Sequence, residues 1–87
     1  MEVIDQIEEY ASLFLTIDEI ALLLDLDANA LRREILHGGS PIAKAYQKGK
    51  LMTIVEVRRQ TVFFAKKGSP QAADLIKDYI SNQIQNE

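Results

Sequence analysis

The tripeptide Gly-Ser-Pro occurs twice, at residues 39–41 and 68–70, and it constrains the fold more than any other feature of the sequence. Glycine just after an apolar helical pattern ends a helix. Serine can then cap the next helix, and proline fits its first position because no backbone N–H is needed there. No stop signal lies between the two tripeptides. The sequence therefore predicts one long helix over residues 41–67 and a C-terminal helix over 70–84.

Two more start signals lie upstream of the first tripeptide. Thr16 is followed three residues later by Glu19, which is the spacing of a capping box, and Asp27 is the next good capping residue. Apolar residues recur at intervals of three and four in each intervening segment. These patterns predict an amphipathic helix over 3–14, a short helix from 17 to 24 and a third helix from 28 to 37.

Residues 51–64 are the one place where a β-hairpin is a competing interpretation. The segment is rich in Val, Ile, Thr and Phe, which favour strands. No turn signal separates its two apolar runs, and charged pairs break the alternation, so a helix is favoured. The prediction is an all-α fold of about five helices in a single domain over residues 1–87, with a long central helix and a short C-terminal one.

Charge is distributed unevenly along the chain. Residues 1–31 hold eight acidic side chains and no basic one, whereas residues 32–67 hold nine Lys or Arg against two Glu. We name these segments the acidic head and the basic middle. The asymmetry is compatible with a polyanion partner, with head-to-middle association between copies, or with internal salt bridges.

Composition narrows the chemistry. The chain has no cysteine and one histidine, so a thiolate nucleophile, a disulfide framework and a thiolate metal site are excluded. No carboxylate pair is spaced for acid–base work. We expect no enzymatic activity, no metal and no cofactor. The N-terminal stretch is acidic, and no apolar run approaches the roughly 20 residues that span a bilayer, so we expect a cytoplasmic protein with no membrane partner.

The segment over 15–37 resembles the helix-turn-helix of bacterial and phage DNA-binding proteins. The pattern T-x-x-E-I-A-x-x-L-x-[IVL]-[SD]-x-x-x-[LVI]-x-[RK] is matched by Thr16, Glu19, Ile20, Ala21, Leu24, Leu26, Asp27, Leu31 and Arg33. Asp25 departs from it, because glycine is usual at that turn. Aspartate tolerates the left-handed region better than most residues, so the turn is expected to form.

The second half of the chain extends this resemblance. "AYQKGK", a long helix and then "AKKGSPQAADLIKDY" look like phage small terminase subunits, and the likeness covers Leu15 to Tyr79. It implies a phage or prophage protein that recognises viral DNA for packaging, works as an oligomer and acts beside a large terminase subunit. The location implied is a bacterial host or phage-infected cell.

The physical chemistry of DNA binding assigns roles to particular residues. Arginine pairs with guanine and asparagine with adenine in the major groove, so Asn29, Arg32 and Arg33 are the predicted base readers. Lys44 and Lys48 are the predicted phosphate contacts. A solvated helix face is the competing interpretation for all five. Asp25 and Asp27 would also repel phosphates at the entrance of the reading helix.

The long helix is apolar on two sides. One stripe is predicted to face the core and includes Ile42, Ala45, Tyr46, Gly49, Val57 and Phe64. The opposite side carries the residues that we predict to form an oligomer interface, since a small chain buries a second apolar side most easily against another copy: Leu51, Val55, Arg58 and Val62. Two alternatives remain open, a structural or adaptor protein that uses the same fold for protein assembly, and a transcriptional regulator.

Overall fold

The computed structural model describes residues 2–87 and is all-α. Five helices follow one another along the chain: α1 (Val3–Ser12), α2 (Ile17–Leu24), α3 (Ala28–His37), α4 (Pro41–Lys66) and α5 (Pro70–Asn86). The prediction of five helices is confirmed. Residues 51–64 are helical, so the hairpin alternative is wrong. Three ends differ from prediction, since α1 ends two residues before residue 14, α4 ends one residue before 67 and α5 extends two residues beyond 84.

Side-chain caps explain where the helices begin. The backbone N–H of Thr16 donates to Glu19 Oε1 at 2.9 Å, and the N–H of Glu19 donates to Thr16 Oγ1 at 3.1 Å. Asp27 Oδ1 accepts from the N–H of Asn29 at 3.1 Å. Each cap satisfies a backbone donor that the helix leaves unpaired. The predicted capping box and the start of α3 are both confirmed.

The two Gly-Ser-Pro stretches act as stop-start units, as predicted. Gly38 and Gly68 have φ angles of 71° and 100°, in the left-handed half of the map where glycine is favoured. Ser40 Oγ then accepts from the N–H of Ala43 at 3.0 Å, and Ser69 Oγ accepts from Ala72 at 3.3 Å. Each stretch therefore ends one helix and begins the next within four residues.

The described chain divides into two compact units, one up to Ile54 and one over Val55–Glu87, and α4 contributes to both. The first unit has a core drawn from α1, α2, α3 and the start of α4: Ile7, Ile20, Ala21, Leu31, Ile35 and Ala45. The core residues of α3, Leu31 and Ile35, are four apart, as the apolar periodicity of this segment indicates. The prediction of a single domain stays a prediction.

The second unit pairs the end of α4 with α5 and buries little. Ala72 is its one buried residue, and the guanidinium of Arg58 lies 4.4 Å from the ring centroid of Tyr79. Val57 and Phe64 are 52% and 53% exposed, so their assignment to the core-facing stripe is wrong. The physical reason is that two helices cannot enclose a side chain on all sides.

Helices α1 and α4 approach closely at Gly49. A Cβ built on Gly49 would collide with the carbonyl oxygen of Glu8 and lie 3.1 Å from the Cβ of Ala11. One turn further along α4, Thr53 Oγ1 donates to the carbonyl oxygen of Ser12 at 2.6 Å. Gly49 is buried, so its predicted place on the core-facing stripe is confirmed.

No helix within residues 2–87 combines the length and the apolar character that crossing a bilayer requires.

We expect the substitution Gly49→Ala to destabilise the protein by about 1–2 kcal/mol. Alanine in a helix interior normally gains about 0.5–1 kcal/mol over glycine, but overpacking against a backbone carbonyl costs about 1–3 kcal/mol. The free energy of unfolding is measured by urea denaturation followed by circular dichroism. Gln47→Ala, an exposed change on the same helix, is the matched control. A Gly49→Ala protein more stable than the wild type would contradict the close approach.

Candidate functional site

The turn between α2 and α3 is held by an unusual backbone conformation. Asp25 has φ 55° and ψ 42°, which is the left-handed region that the sequence required of it. The N–H of Leu26 donates to the carbonyl oxygen of Ala21 at 2.9 Å, and this bond closes the end of α2. Three residues, 25–27, therefore connect the two helices, and Asp27 is already the cap of α3.

Helix α3 has one buried and one open side. Leu31 and Ile35 are buried in the core of the first unit. Asn29, Arg33 and Leu36 are exposed, and Leu36 is 73% exposed. The outer side of α3 therefore offers an amide, a guanidinium and an apolar side chain to whatever approaches it.

Arg32 is already engaged by its own chain. One of its terminal nitrogens forms an ion pair with Asp18 Oδ1 on α2, and the other donates to Asn29 Oδ1 at 3.4 Å. Both bonds lie at the surface, where the free energy of an ion pair is small. Arg32 can exchange these partners for a stronger anion, but its charge is not free in this structure.

Arg33 points to a different part of the surface from Arg32. It lines an open cavity of about 410 Å³ together with Glu34, His37 and Ser40, and it has no ion-pair partner among the described residues. Arg32 lines a second open cavity of about 360 Å³ with Asp18, Tyr46 and Lys50. Successive helical residues are about 100° apart, which is why the two arginines line different cavities.

The predicted phosphate contacts lie on the first turns of α4. Lys44 is exposed and has no ion-pair partner within residues 2–87. Lys48 Nζ lies 4.0 Å from Glu8 Oε1, with the lysine side chain 68% exposed, so this pair is weak. Both ammonium groups are available to an anion.

Sequence reasoning missed Lys50. Its Nζ lies 5.0 Å from the ring centroid of Tyr46, and both side chains line the cavity that contains Arg32. The signal was present as the spacing of four between an aromatic residue and a lysine on one helix. The cation is therefore placed beside Arg32 rather than beside Arg33.

The predicted oligomer interface is exposed on α4. Leu51, Val55 and Val62 are 58%, 40% and 38% exposed. Arg58 instead stacks on Tyr79 within the second unit, so its guanidinium is partly occupied by its own chain. The three apolar side chains form the part of this set that is open to a partner.

The residues between 2 and 87 contain no group of three or more His, Asp or Glu side chains placed to hold a metal ion. No protein-family model, no curated protein and no solved structure matches this chain. The resemblance to small terminase subunits therefore stays a prediction.

We expect Asp25→Gly to be more stable than Asp25→Ala by about 1 kcal/mol, because only glycine adopts the left-handed conformation without steric cost. The two variants remove the same carboxylate, so their difference isolates the backbone of the turn. Thermal unfolding followed by circular dichroism measures it. Equal stability of the two variants would show that residue 25 is not held in the left-handed region in solution.

Proposed function

We propose that the protein is a phage-type DNA-binding module of the small terminase kind, which recognises viral DNA for packaging as an oligomer. The observation that supports this most is the α2–α3 pair, two short capped helices joined by a three-residue turn, with the outer side of α3 exposed. In helix-turn-helix proteins the second helix enters the major groove and presents its N-terminal half to the bases.

Arg33 is the first base reader in this proposal. It is exposed and unpaired among the described residues, and its guanidinium can donate two parallel hydrogen bonds to guanine. Asn29 accepts from Arg32 through its Oδ1, which leaves its Nδ2 group to donate to a base. Arg32 contributes only after it exchanges Asp18 for a phosphate or base.

Lys44 and Lys48 supply the contacts to phosphate. Their positions on the first turns of α4 follow α3 after the Gly-Ser-Pro connection, and their charges are free or weakly paired. Neutralised phosphates release bound counterions, so binding must weaken as salt rises. These contacts position the module without reading sequence.

One subunit alone binds DNA weakly in this proposal. The chain carries a net charge of −3, and Asp25 and Asp27 stand exposed at the start of α3. Several modules on one duplex raise the overall affinity through their effective concentration. Oligomerisation through Leu51, Val55 and Val62, with Arg58 beside them, is therefore part of the function.

The remaining parts of the proposal follow from the resemblance of the sequence to phage small terminase subunits. The partners are double-stranded DNA, further copies of this chain and a large terminase subunit, in the cytoplasm of a bacterial host or phage-infected cell. The chain performs no enzymatic step of its own and uses no cofactor.

We expect Arg33→Ala to weaken binding to a duplex that contains the cognate site by about tenfold, since a bidentate arginine–guanine pair contributes about 1–3 kcal/mol. Lys44→Ala should lower affinity for every duplex and reduce the slope of log K against log salt by about 1. Fluorescence anisotropy with the full chain, a viral-genome duplex and a scrambled duplex across a salt series measures both.

Lys77→Ala is the matched control, because it removes one exposed positive charge from α5 and leaves α3 unchanged. Its affinity should stay close to that of the wild type. If Arg33→Ala and Lys44→Ala bind as tightly as Lys77→Ala, these residues do not contact DNA. If the folded wild type shows no salt-dependent binding to either duplex, the proposal is wrong.

A protein-assembly adaptor is the second candidate, and two observations favour it. The first is the ion pair between Arg32 and Asp18, which occupies the guanidinium of a predicted base reader. The second is the exposure of Leu22 and Leu36 on the α2–α3 pair, at 79% and 73%. Large exposed apolar side chains are typical of protein interfaces. An adaptor would form oligomers without DNA affinity at physiological salt, so the same anisotropy series separates the two functions.

A further inference from the structure

The first unit contains a groove with an apolar floor and an acidic edge. It has a volume of about 170 Å³ and lies between the α2–α3 turn, α3 and the first turn of α4. Its lining residues are Leu26, Ala30, Leu31 and Ile42, together with Asp27 and Glu34. Both acidic residues are exposed. The groove is therefore open to a partner and combines apolar surface with negative charge.

The size of the groove selects its occupant. An apolar cavity of about 150 Å³ accommodates one benzene molecule. A groove of about 170 Å³ therefore has room for one phenyl ring.

The negative charge of Asp27 and Glu34 favours a cation beside the inserted ring. The structure records two ion pairs within residues 2–87, Arg32 with Asp18 and Lys48 with Glu8, so neither groove carboxylate has a basic partner there. A cation next to the inserted ring could form ion pairs with both carboxylates. The groove thus fits a phenyl ring that carries a nearby ammonium or guanidinium.

The end of α4 presents such a ring. Phe63 is 54% exposed and packs edge-to-face on Phe64, with ring centroids 5.4 Å apart. The ammonium of Lys67 lies 5.3 Å from the centroid of the Phe63 ring. An exposed phenyl ring and a cation therefore lie together in the second unit.

We propose that the groove of one copy takes the Phe63 ring of a second copy, and that Lys67 of this second copy pairs with Glu34 and Asp27. The contact joins two different surfaces, so it is heterologous and repeats from copy to copy into a ring or a filament. It uses surfaces other than Leu51, Val55 and Val62, and it does not depend on DNA binding.

The charge distribution of the whole chain supports the same partner. Few of the acidic residues in the head and few of the basic residues in the middle are paired within the chain, since two ion pairs are recorded over residues 2–87. Internal salt bridges therefore do not account for the asymmetry. In the proposed contact Asp27 belongs to the acidic head and Lys67 to the basic middle, so this pair is head-to-middle association, while Glu34 is an acidic residue within the basic middle. Complementary charge also sets the register of such a contact.

A charge exchange tests the contact directly. Glu34→Lys and Lys67→Glu each place like charges across the proposed interface, so each variant alone should self-associate at least tenfold more weakly than the wild type. A mixture of the two variants restores opposite charges at every contact, and so does the double variant in one chain. Sedimentation velocity of the full chain over a concentration series measures association, and circular dichroism verifies that each variant is helical.

Phe63→Ala should also weaken association by about tenfold or more, because a buried aromatic side chain commonly dominates an interface. Ile84→Ala, which removes a 68% exposed isoleucine of α5 outside the groove, is the matched control and should associate like the wild type.

Three results would overturn the contact. The first is a wild type that stays monomeric at high micromolar concentration, and the second is a pair of charge variants that associate as well as the wild type. The third is a mixture of the two variants that remains as weakly associated as either alone. None of these results depends on DNA, so duplex binding by α3 and α4 is tested separately in the anisotropy series. A monomeric wild type would also contradict the oligomer interface at Leu51, Val55 and Val62, whereas the two results with the charge variants bear on the groove alone.

Discussion

The first unit depends on the close approach of α1 to α4 at Gly49. With no Cβ at that position, the carbonyl oxygen of Glu8 can lie against the α4 backbone, and Ala11 packs one turn further on. Ile7 and Ala11 become fully buried as a result. Because α1 lies against α4, Ile20 of α2 and Leu31 of α3 can pack in one core with Ile7 and Ala45. The buried sides of α2 and α3 face this core, and their outer sides remain exposed.

The same arrangement decides which charges can act on a partner. Asp18 and Arg32 meet between α2 and α3 and neutralise one another, whereas Arg33 and Lys44 remain unpaired within the described chain. The acidic residues at the start of α3 limit how strongly one copy attracts a polyanion. A function that uses several copies is therefore consistent with both the free cations and the exposed apolar surface of the second unit.

Much of the fold follows from local patterns. Thr16 with Glu19, Asp27, Ser40 and Ser69 all cap the helices that they were expected to begin, because a cap involves backbone groups within three residues. The left-handed turn residue at position 25 was expected for the same local reason. The contacts of the candidate site could not be predicted from local patterns. A helical stripe identifies which residues share one side of a helix, but not which residues of other helices lie opposite them.

The sequence by itself determined where the five helices begin, where they end to within two residues, and which side of α2 and α3 is buried. These properties depend on hydrogen bonds and periodicities within a few residues. Only the tertiary structure decided that Arg32 is paired and Arg33 is not, since the partner Asp18 is 14 residues away. It also decided that Val57 and Phe64 are exposed. A residue on an apolar stripe is buried only where other elements are available to cover it, and the second unit has two helices.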